Sequence, residues 1–267
     1  MTIIGIDIGG STTKIVGLRN GEILHPLQVR ATDPLTSVYG AFGRYISENA
    51  LVLSDISEVK VTGVGSTYIK ENVYGIRTSH IDEFRAIGLG GLYLSGLRDA
   101  VIVSMGTGTA FVHADGSEIV HIGGTGVGGG TLLGLSSELL EVHNFENIVE
   151  LAKNGDLSHI DLTIGDLTRT DSSMPSDTTA SNFGNISDYA TKEDKAYGLI
   201  NMIFQTVGIM AVFAARAYGL KDIVLCGNLT AVPFASRLFA QIENLHGVKF
   251  YIPERAEYVT ALGAALA

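Results

Sequence analysis

The sequence predicts an α/β fold on mixed sheets, and three features carry the prediction. Apolar stretches of strand length, Ile3–Ile8 and Ala100–Ser104, each run into a turn rich in glycine and hydroxyl groups and out again into a second apolar stretch. Segments with apolar residues at helical spacing alternate with the strands, the longest from residue 192 to about 218. The first third of the chain orders as β-β-β-α-β, a mixed sheet with a crossover helix.

In the opening stretch, Gly5-Ile6-Asp7-Ile8-Gly9-Gly10-Ser11-Thr12-Thr13-Lys14, two adjacent glycines sit between the strands Ile3–Ile8 and Thr13–Leu18. Glycine removes the side chains that would block a close approach. The amides of such a turn can converge on an anion, with the Ser and Thr hydroxyls as further donors, and Asp7 is placed to hold Mg²⁺ through water. An ordinary Gly-Gly hairpin explains the same residues. A weaker strand is expected near Ile23–Val29, a helix over Ser37–Ser47 and a strand over Val59–Val64. Ser79-x-x-Asp82 reads as a capping box opening a helix that runs to about Leu97. Glu83, in its first turn, either complements the helix dipole or faces a cleft as a general base.

Ala100–Ser104, Met105-Gly106-Thr107-Gly108-Thr109 and Ala110–His113 repeat the opening pattern, and two such turns fit a nucleotide clamped from two sides. Asp115-Gly116 marks a hairpin. Glu118–Ile122 is a strand leading into Gly123–Gly130, six glycines in eight residues ahead of a helix beginning near Thr131. That helix N-terminus is a plausible anion site. Gly124-x-Gly126-x-x-Gly129 also matches the dinucleotide fingerprint, but residues 135–153 read as helical where a Rossmann fold needs a second strand ending in an acid. Residues 154–185 are polar and turn-rich, a lid or mobile loop. Thr191-x-x-Asp194 caps the long helix, whose broad apolar surface marks a core helix or a subunit interface. Ile223–Cys226 is a buried strand ending in Gly227-Asn228, followed by a helix after Pro233, a strand over Val248–Ile252 and a short helix over Ala261–Ala267.

Composition excludes several classes. A net charge of −10 offers no basic field for a nucleic acid. Cys226 is the one cysteine, so there is neither a disulfide framework nor a multi-cysteine metal site. The start of the chain lacks a basic n-region, and Gln205 and Arg216 interrupt the most apolar stretch. A soluble, cytoplasmic protein with no membrane partner is expected.

Together, Asp7-Ile8-Gly9-Gly10, the turn at Ser104–Thr109 and Gly227-Asn228 resemble the fold of acetate and sugar kinases, Hsp70 and actin. Ile81-Asp82-Glu83-Phe84, Gly123–Gly130 running into Thr131-Leu132-Leu133-Gly134-Leu135, and Ala180-Ser181-Asn182-Phe183-Gly184 more closely resemble the type II pantothenate kinases, in the same order and across nearly the whole chain. The resemblance implies an actin-like ATPase fold with two ribonuclease H-like lobes, 1–98 and 99–267, and ATP in the cleft between them. It implies phosphorylation of pantothenate to 4'-phosphopantothenate, the first step of coenzyme A biosynthesis, with Mg²⁺. Asp7, Ile8, Gly9, Gly10, Ser11, Thr12, Thr13 and Lys14 would surround the phosphates and the metal, and Thr107 would contact phosphate from the other lobe. Gly129, Gly130, Thr131, Leu132 and Leu133 would line the nucleotide, with Phe145 beside the adenine and Asn228 as a further ATP contact. Glu83 would be the catalytic base, and Glu83, His121 and Gly123 would bind substrate. The family is dimeric, which points to helix 192–218 as the interface of a homodimer.

This chain departs from the family in one place. Where the family carries an Arg to grip the substrate carboxylate, this sequence has His121. A neutral imidazole cannot pair bidentately with a carboxylate, and an imidazole is only partly protonated near pH 7. Ala110 likewise stands where the family often has Ser. The alternatives are therefore a kinase of a pantetheine-like compound, polyol or sugar, or a catalytically silent ATP-binding paralogue.

Overall fold

The computed structural model describes residues 1–30, 33–169 and 174–267. The first part of the chain forms β1 (Thr2–Ile8), β2 (Thr12–Arg19), β3 (Glu22–Ile23), β4 (Leu27–Arg30), α1 (Pro34–Glu48), β5 (Ile56–Thr62), β6 (Thr78–His80) and α2 (Glu83–Ser95). The remainder forms β7 (Ala100–Met105), β8 (Thr109–Ala114), β9 (Ile119–Thr125), α3 (Gly129–Leu140), α4 (Phe145–Ala152), β10 (Leu162–Thr163), α5 (Ile164–Leu167), β11 (Thr179–Ser181), α6 (Lys192–Ala217), β12 (Asp222–Cys226), α7 (Ala235–His246), β13 (Lys249–Tyr251) and α8 (Val259–Leu266).

Two sheets repeat one plan. The first runs β3-β2-β1-β5-β6, with β4 also on β2, and the second runs β9-β8-β7-β12-β13. In each, an antiparallel meander is extended by two strands parallel to its first strand. α1 is the crossover of the first sheet. Asp33 caps it by accepting from the Thr36 amide, Pro34 occupies its first turn, and Val38, Ala41, Phe42 and Tyr45 bury one face against the sheet. α6 is the crossover of the second. The expected Thr191–Asp194 capping box opens it, and its buried stripe packs with α3, α4 and α7 on β7 and β12. By length and composition α6 is, among the described residues, the one helix able to cross a membrane, yet 67% of its most apolar stretch is buried inside the fold.

The last helix of each half covers the sheet of the other half. α2 packs on β7, β8, β9 and β12, whereas α8 packs on β1, β2 and β5. The two helices also pack on each other. A Cβ at Gly263 of α8 would lie 1.7 Å from the Ala86 carbonyl of α2, and one at Gly90 would lie 2.0 Å from the Val259 carbonyl. On the other side of α8, a Cβ at Gly5 of β1 would lie 1.9 Å from the Ala261 carbonyl. A continuous layer, β1–α8–α2–β7, therefore joins the sheets, at backbone contact distance from β1 through α8 to α2 and through the Ile102 side chain from α2 to β7.

Several expectations are corrected. Ser79 and His80 belong to strand β6, and the N-cap of α2 is Asp82 itself, which accepts from the Arg85 amide. The expected strand over 23–29 is two strands, separated by a stretch containing Pro26, which has no amide for the ladder. The apolar pattern over 135–153 spans two helices. Glu141 adopts a left-handed conformation (φ 59°) that ends α3, and Asn144 caps α4. Much of the polar segment 154–185 is ordered around the β10–β11 pair, and residues 170–173 of it lie outside the described residues.

Candidate active site

The first glycine turn closes the β1–β2 hairpin. The Gly9 amide donates to the Thr12 carbonyl at 3.0 Å, leaving Gly10 and Ser11 exposed at the tip. Strand register places Asp7 opposite Lys14, and Lys14 opposite Gln28, so the three side chains form a row on one face of the sheet. Thr12 and Arg30 are paired two residues further along on that face. Burial pushes the Asp7 carboxyl up, partly offset by Lys14, and burial pulls the Lys14 ammonium down against the opposing pull of Asp7. Gly63 fits behind them with φ +83°, where a Cβ would lie 2.6 Å from Asp7 Oδ1.

The second turn, Gly106-Thr107-Gly108, closes the β7–β8 hairpin and docks against the start of α3. The Gly129 and Gly130 amides donate to the Gly106 and Thr107 carbonyls at 2.8 and 2.9 Å, and the Gly128 amide donates to Thr131 Oγ1. This corrects the expectation of an anion site at that helix N-terminus, because those three donors are already used within the protein. The glycines permit close docking instead. A Cβ at Gly128 would lie 2.7 Å from the Thr107 carbonyl, and one at Gly129 would lie 3.0 Å from that of Gly106.

The two turns face each other. Ser11 Oγ and Thr107 Oγ1 are 3.4 Å apart, and Asn228 Nδ2 donates to Thr12 Oγ1 at 3.4 Å. They bound a cleft of about 650 Å³. Of the residues singled out in the sequence, Ser11, Thr12, Thr107, Gly129, Gly130, Leu133, Phe145 and Asn228 line it. Its apolar end adds Val149, Leu229, Ala231 and Pro233. Ile8, Thr13 and Leu132 are fully buried, so they shape the turns from beneath and do not line the cleft. Lys14 is 6% exposed beside Asp7, on the same face as Thr12 and opposite Gln28, and is not itself among the lining residues, while Thr131 is engaged at the start of α3. Sequence reasoning missed Gln28, Arg30, His143, Glu146 and Glu257, which also line the cleft. A further cavity, about 410 Å³ between α6, α7 and residues 175–179, contains none of the expected site residues.

Glu83 occupies the first position of α2. Burial, then the charges of Asp7 and Asp82, push its carboxyl up, so the three acids share one field. Phe84, the next residue, stacks on His121 of β9. A register shift in the β8–β9 ladder pairs Phe111 with Gly123 and Val112 with His121, leaving Ile122 as the extra residue of a bulge. Among the described residues no group of three or more His, Cys, Asp or Glu side chains is arranged to hold a metal. A hydrated Mg²⁺ needs fewer, since it typically keeps several waters and uses one or two carboxylates together with substrate phosphates.

Paired sheets of one topology, with glycine turns facing across a common cleft, define an actin-like ATPase fold. Solved structures agree. The chain superposes on component A of the (R)-2-hydroxyglutaryl-CoA dehydratase of Acidaminococcus fermentans with a TM-score of 0.70 and 18% identity, covering 100% of this chain and 96% of that one. For a ROK family glucokinase of Streptomyces griseus in complex with glucose and AMPPNP, the TM-score is 0.62 at 11% identity, with 99% and 98% covered. Residues 97–266 match the Fumble family model, and the chain belongs to that family. It is 28% identical over 274 residues to a type II pantothenate kinase of Staphylococcus epidermidis, covering 98% of both chains. It is 27% identical over 272 residues to one from Staphylococcus aureus, covering 98% of this chain and 97% of the other.

Proposed function

We propose that this chain is an ATP-dependent pantothenate kinase that transfers the γ-phosphoryl group to the primary hydroxyl of pantothenate. The observation that carries the reading is the pair of turns facing across one cleft, with Ser11 and Thr107 3.4 Å apart, beside an acid raised by burial at the start of α2. ATP lies in the cleft, its base toward Phe145 and Leu133 and its phosphates toward Ser11, Thr12, Thr107 and Asn228. Gly9 and Gly10 let the phosphates approach the first turn. Asp7 would hold Mg²⁺ through water, and the metal would supply neutralisation of phosphate charge. Glu83 orients the acceptor hydroxyl and takes its proton. An acid whose proton affinity is raised is a better base once ionised. Positioning and charge neutralisation supply most of the rate in phosphoryl transfer. The lobes divide near residue 98, with α2 and α8 as the shared layer between them. The protein acts in the cytoplasm as a homodimer through α6, whose Phe213 is 60% exposed.

A second reading, a kinase of a neutral pantetheine-like acceptor, is favoured by His121, which puts an imidazole instead of a permanent cation next to Phe84. The test is ADP release with Mg-ATP and pantothenate, pantetheine or no acceptor. Pantothenate-dependent release supports the first reading and release with pantetheine alone supports the second. ATP binding without turnover of either would replace both with a silent paralogue.

A further inference from the structure

The two walls of the cleft carry a pair of opposite charges that the sequence did not suggest. Arg30 Nη2 of β4 stands 3.8 Å from Glu146 Oε2 of α4, with side chains 81% and 71% exposed. Arg30 belongs to the first sheet and Glu146 to the helices on the second, so the contact spans the mouth of the cleft. Both residues line it. The position of Arg30 follows from strand register. It pairs with Thr12, the residue after the Gly9-Gly10-Ser11 tip, and directly opposed residues of antiparallel strands project from the same face. Thr12 itself lines the cleft and accepts from Asn228.

The charges of the lining residues are uneven. Glu146 and Glu257 contribute two carboxylates, and Arg30 is the one Lys or Arg among the described residues that line the cleft. Lys14, on the same face as Thr12 and opposite Gln28, is 6% exposed, is set against Asp7 and does not line the cleft. The chain as a whole carries −10. A polyphosphate entering this cleft meets one exposed guanidinium or ammonium on its lining, and a guanidinium suits phosphate oxygens because its planar fork donates two parallel hydrogen bonds.

We infer that Arg30 is a phosphate-binding residue of the nucleotide site and that Glu146, across the mouth, competes with the nucleotide for its guanidinium. The inference rests on the proposed reading of the cleft as a nucleotide site. Arg30 acts with the first glycine turn, gripping phosphate beside Thr12, while Glu146 limits how tightly it does so. The exposed ion pair contributes little to stability by itself, so either residue can be exchanged without loss of the fold.

Binding of ATP, ADP and adenosine is measured by calorimetry on the purified full chain, for the wild type, Arg30→Gln, Glu146→Gln and the double variant. Arg30→Gln is expected to weaken ATP about tenfold, in line with hydrogen bonds to charged groups, and to leave adenosine unchanged. Glu146→Gln is expected to tighten ATP about threefold, with no such gain in the double variant. The effect on ATP shrinks as salt is raised. Wild-type binding of ATP with equal binding by Arg30→Gln overturns the inference alone, as does an equal loss for adenosine, which marks a structural role. Failure of the wild type to bind ATP overturns both the inference and the nucleotide reading of the cleft.

Discussion

The imidazole of His121 lies flat on the ring of Phe84, with centroids 3.7 Å apart and planes 10° apart. Phe84 directly follows Glu83, so this stack ties a strand side chain of the second sheet to the residue proposed as the base. A single imidazole donor cannot match the bidentate fork of arginine on a carboxylate, and arginine also stacks on aromatic rings. His121→Arg is therefore expected to lower KM for pantothenate about tenfold, hydrogen bonds to charged groups being worth ~1.5–3 kcal/mol. The expected kcat is unchanged, and pantetheine, which has no carboxylate, gains nothing. Steady-state kinetics on both acceptors checks this; an equal gain for both would rule out carboxylate pairing.

Glu83 is raised by burial and by the charges of Asp7 and Asp82. A base must be ionised, so turnover falls as pH drops through that raised value. Removing a neighbouring negative charge lowers the value and moves the acid limb to lower pH. Asp82→Asn does this while keeping a residue that caps helices well. Glu83→Gln is expected to abolish turnover and leave ATP binding nearly intact. It is also expected to raise Tm slightly near pH 7, because a carboxyl raised on folding destabilises the folded state when ionised, a cost that disappears as pH falls through the raised pKa. The pH profile of kcat for Asp82→Asn, and the turnover and melting curve of Glu83→Gln, are the measurements. An unmoved acid limb in the first, or full turnover in the second, removes Glu83 from the chemistry.

Asp194 joins the 156–159 turn to the long helix. Burial pushes its carboxyl up, but hydrogen bonds from the Thr191 and Asp156 amides, His159 and the Thr191 hydroxyl overcome this and hold it at about 2. A folded value below the unfolded ~3.9 means that its stabilisation is present above pH ~4 and is lost as pH falls through about 2. Asp194→Ala leaves buried amides unpaired and is expected to cost ~3 kcal/mol, a fall in Tm of about 6–12 °C. Thermal melts from pH 2 to 7 test this. If the wild type and Asp194→Ala lose stability in parallel on acidification, the carboxylate has no such role.

Much of this architecture was legible because it is local. The strands β1, β2, β7, β8 and β12 end in glycine turns that interrupt apolar runs, and α1 and α6 carry both helical spacing and caps. The short strands β6, β10 and β11 have two or three residues each, too few for any period to appear. The partners of the α3 amides lie some 23 residues upstream in the second turn, a docking that no local pattern encodes. Arg30 and Glu146 enter the cleft through strand register and through the left-handed Glu141 that redirects the chain into α4. The stretch at 261–267 reads as a short helix, but its sequence does not encode that α8 lies on the first sheet and against α2.

That last packing yields a matched pair of substitutions. Gly263 faces the Ala86 carbonyl of α2 at a hypothetical Cβ distance of 1.7 Å, and the obstacle is main chain, which cannot turn aside as a side chain can. Gly263→Ala must push α8 away from α2, and overpacking of this kind costs ~1–3 kcal/mol or more. Because α8 also rests on β1 through Gly5, the shift reaches the strand that carries Asp7. The variant is expected to lose several degrees in Tm and to lose kcat as well. Gly134, exposed on α3 with nothing within 4 Å of a Cβ, is the opposite case. Gly134→Ala is expected to stabilise by ~0.5–1 kcal/mol through helix propensity and reduced freedom of the unfolded chain, with activity unchanged. Melting curves and kcat for the two variants separate the readings. If Gly263→Ala keeps both its Tm and its kcat, the α2–α8 contact yields without consequence and the sheets are not held in register through it.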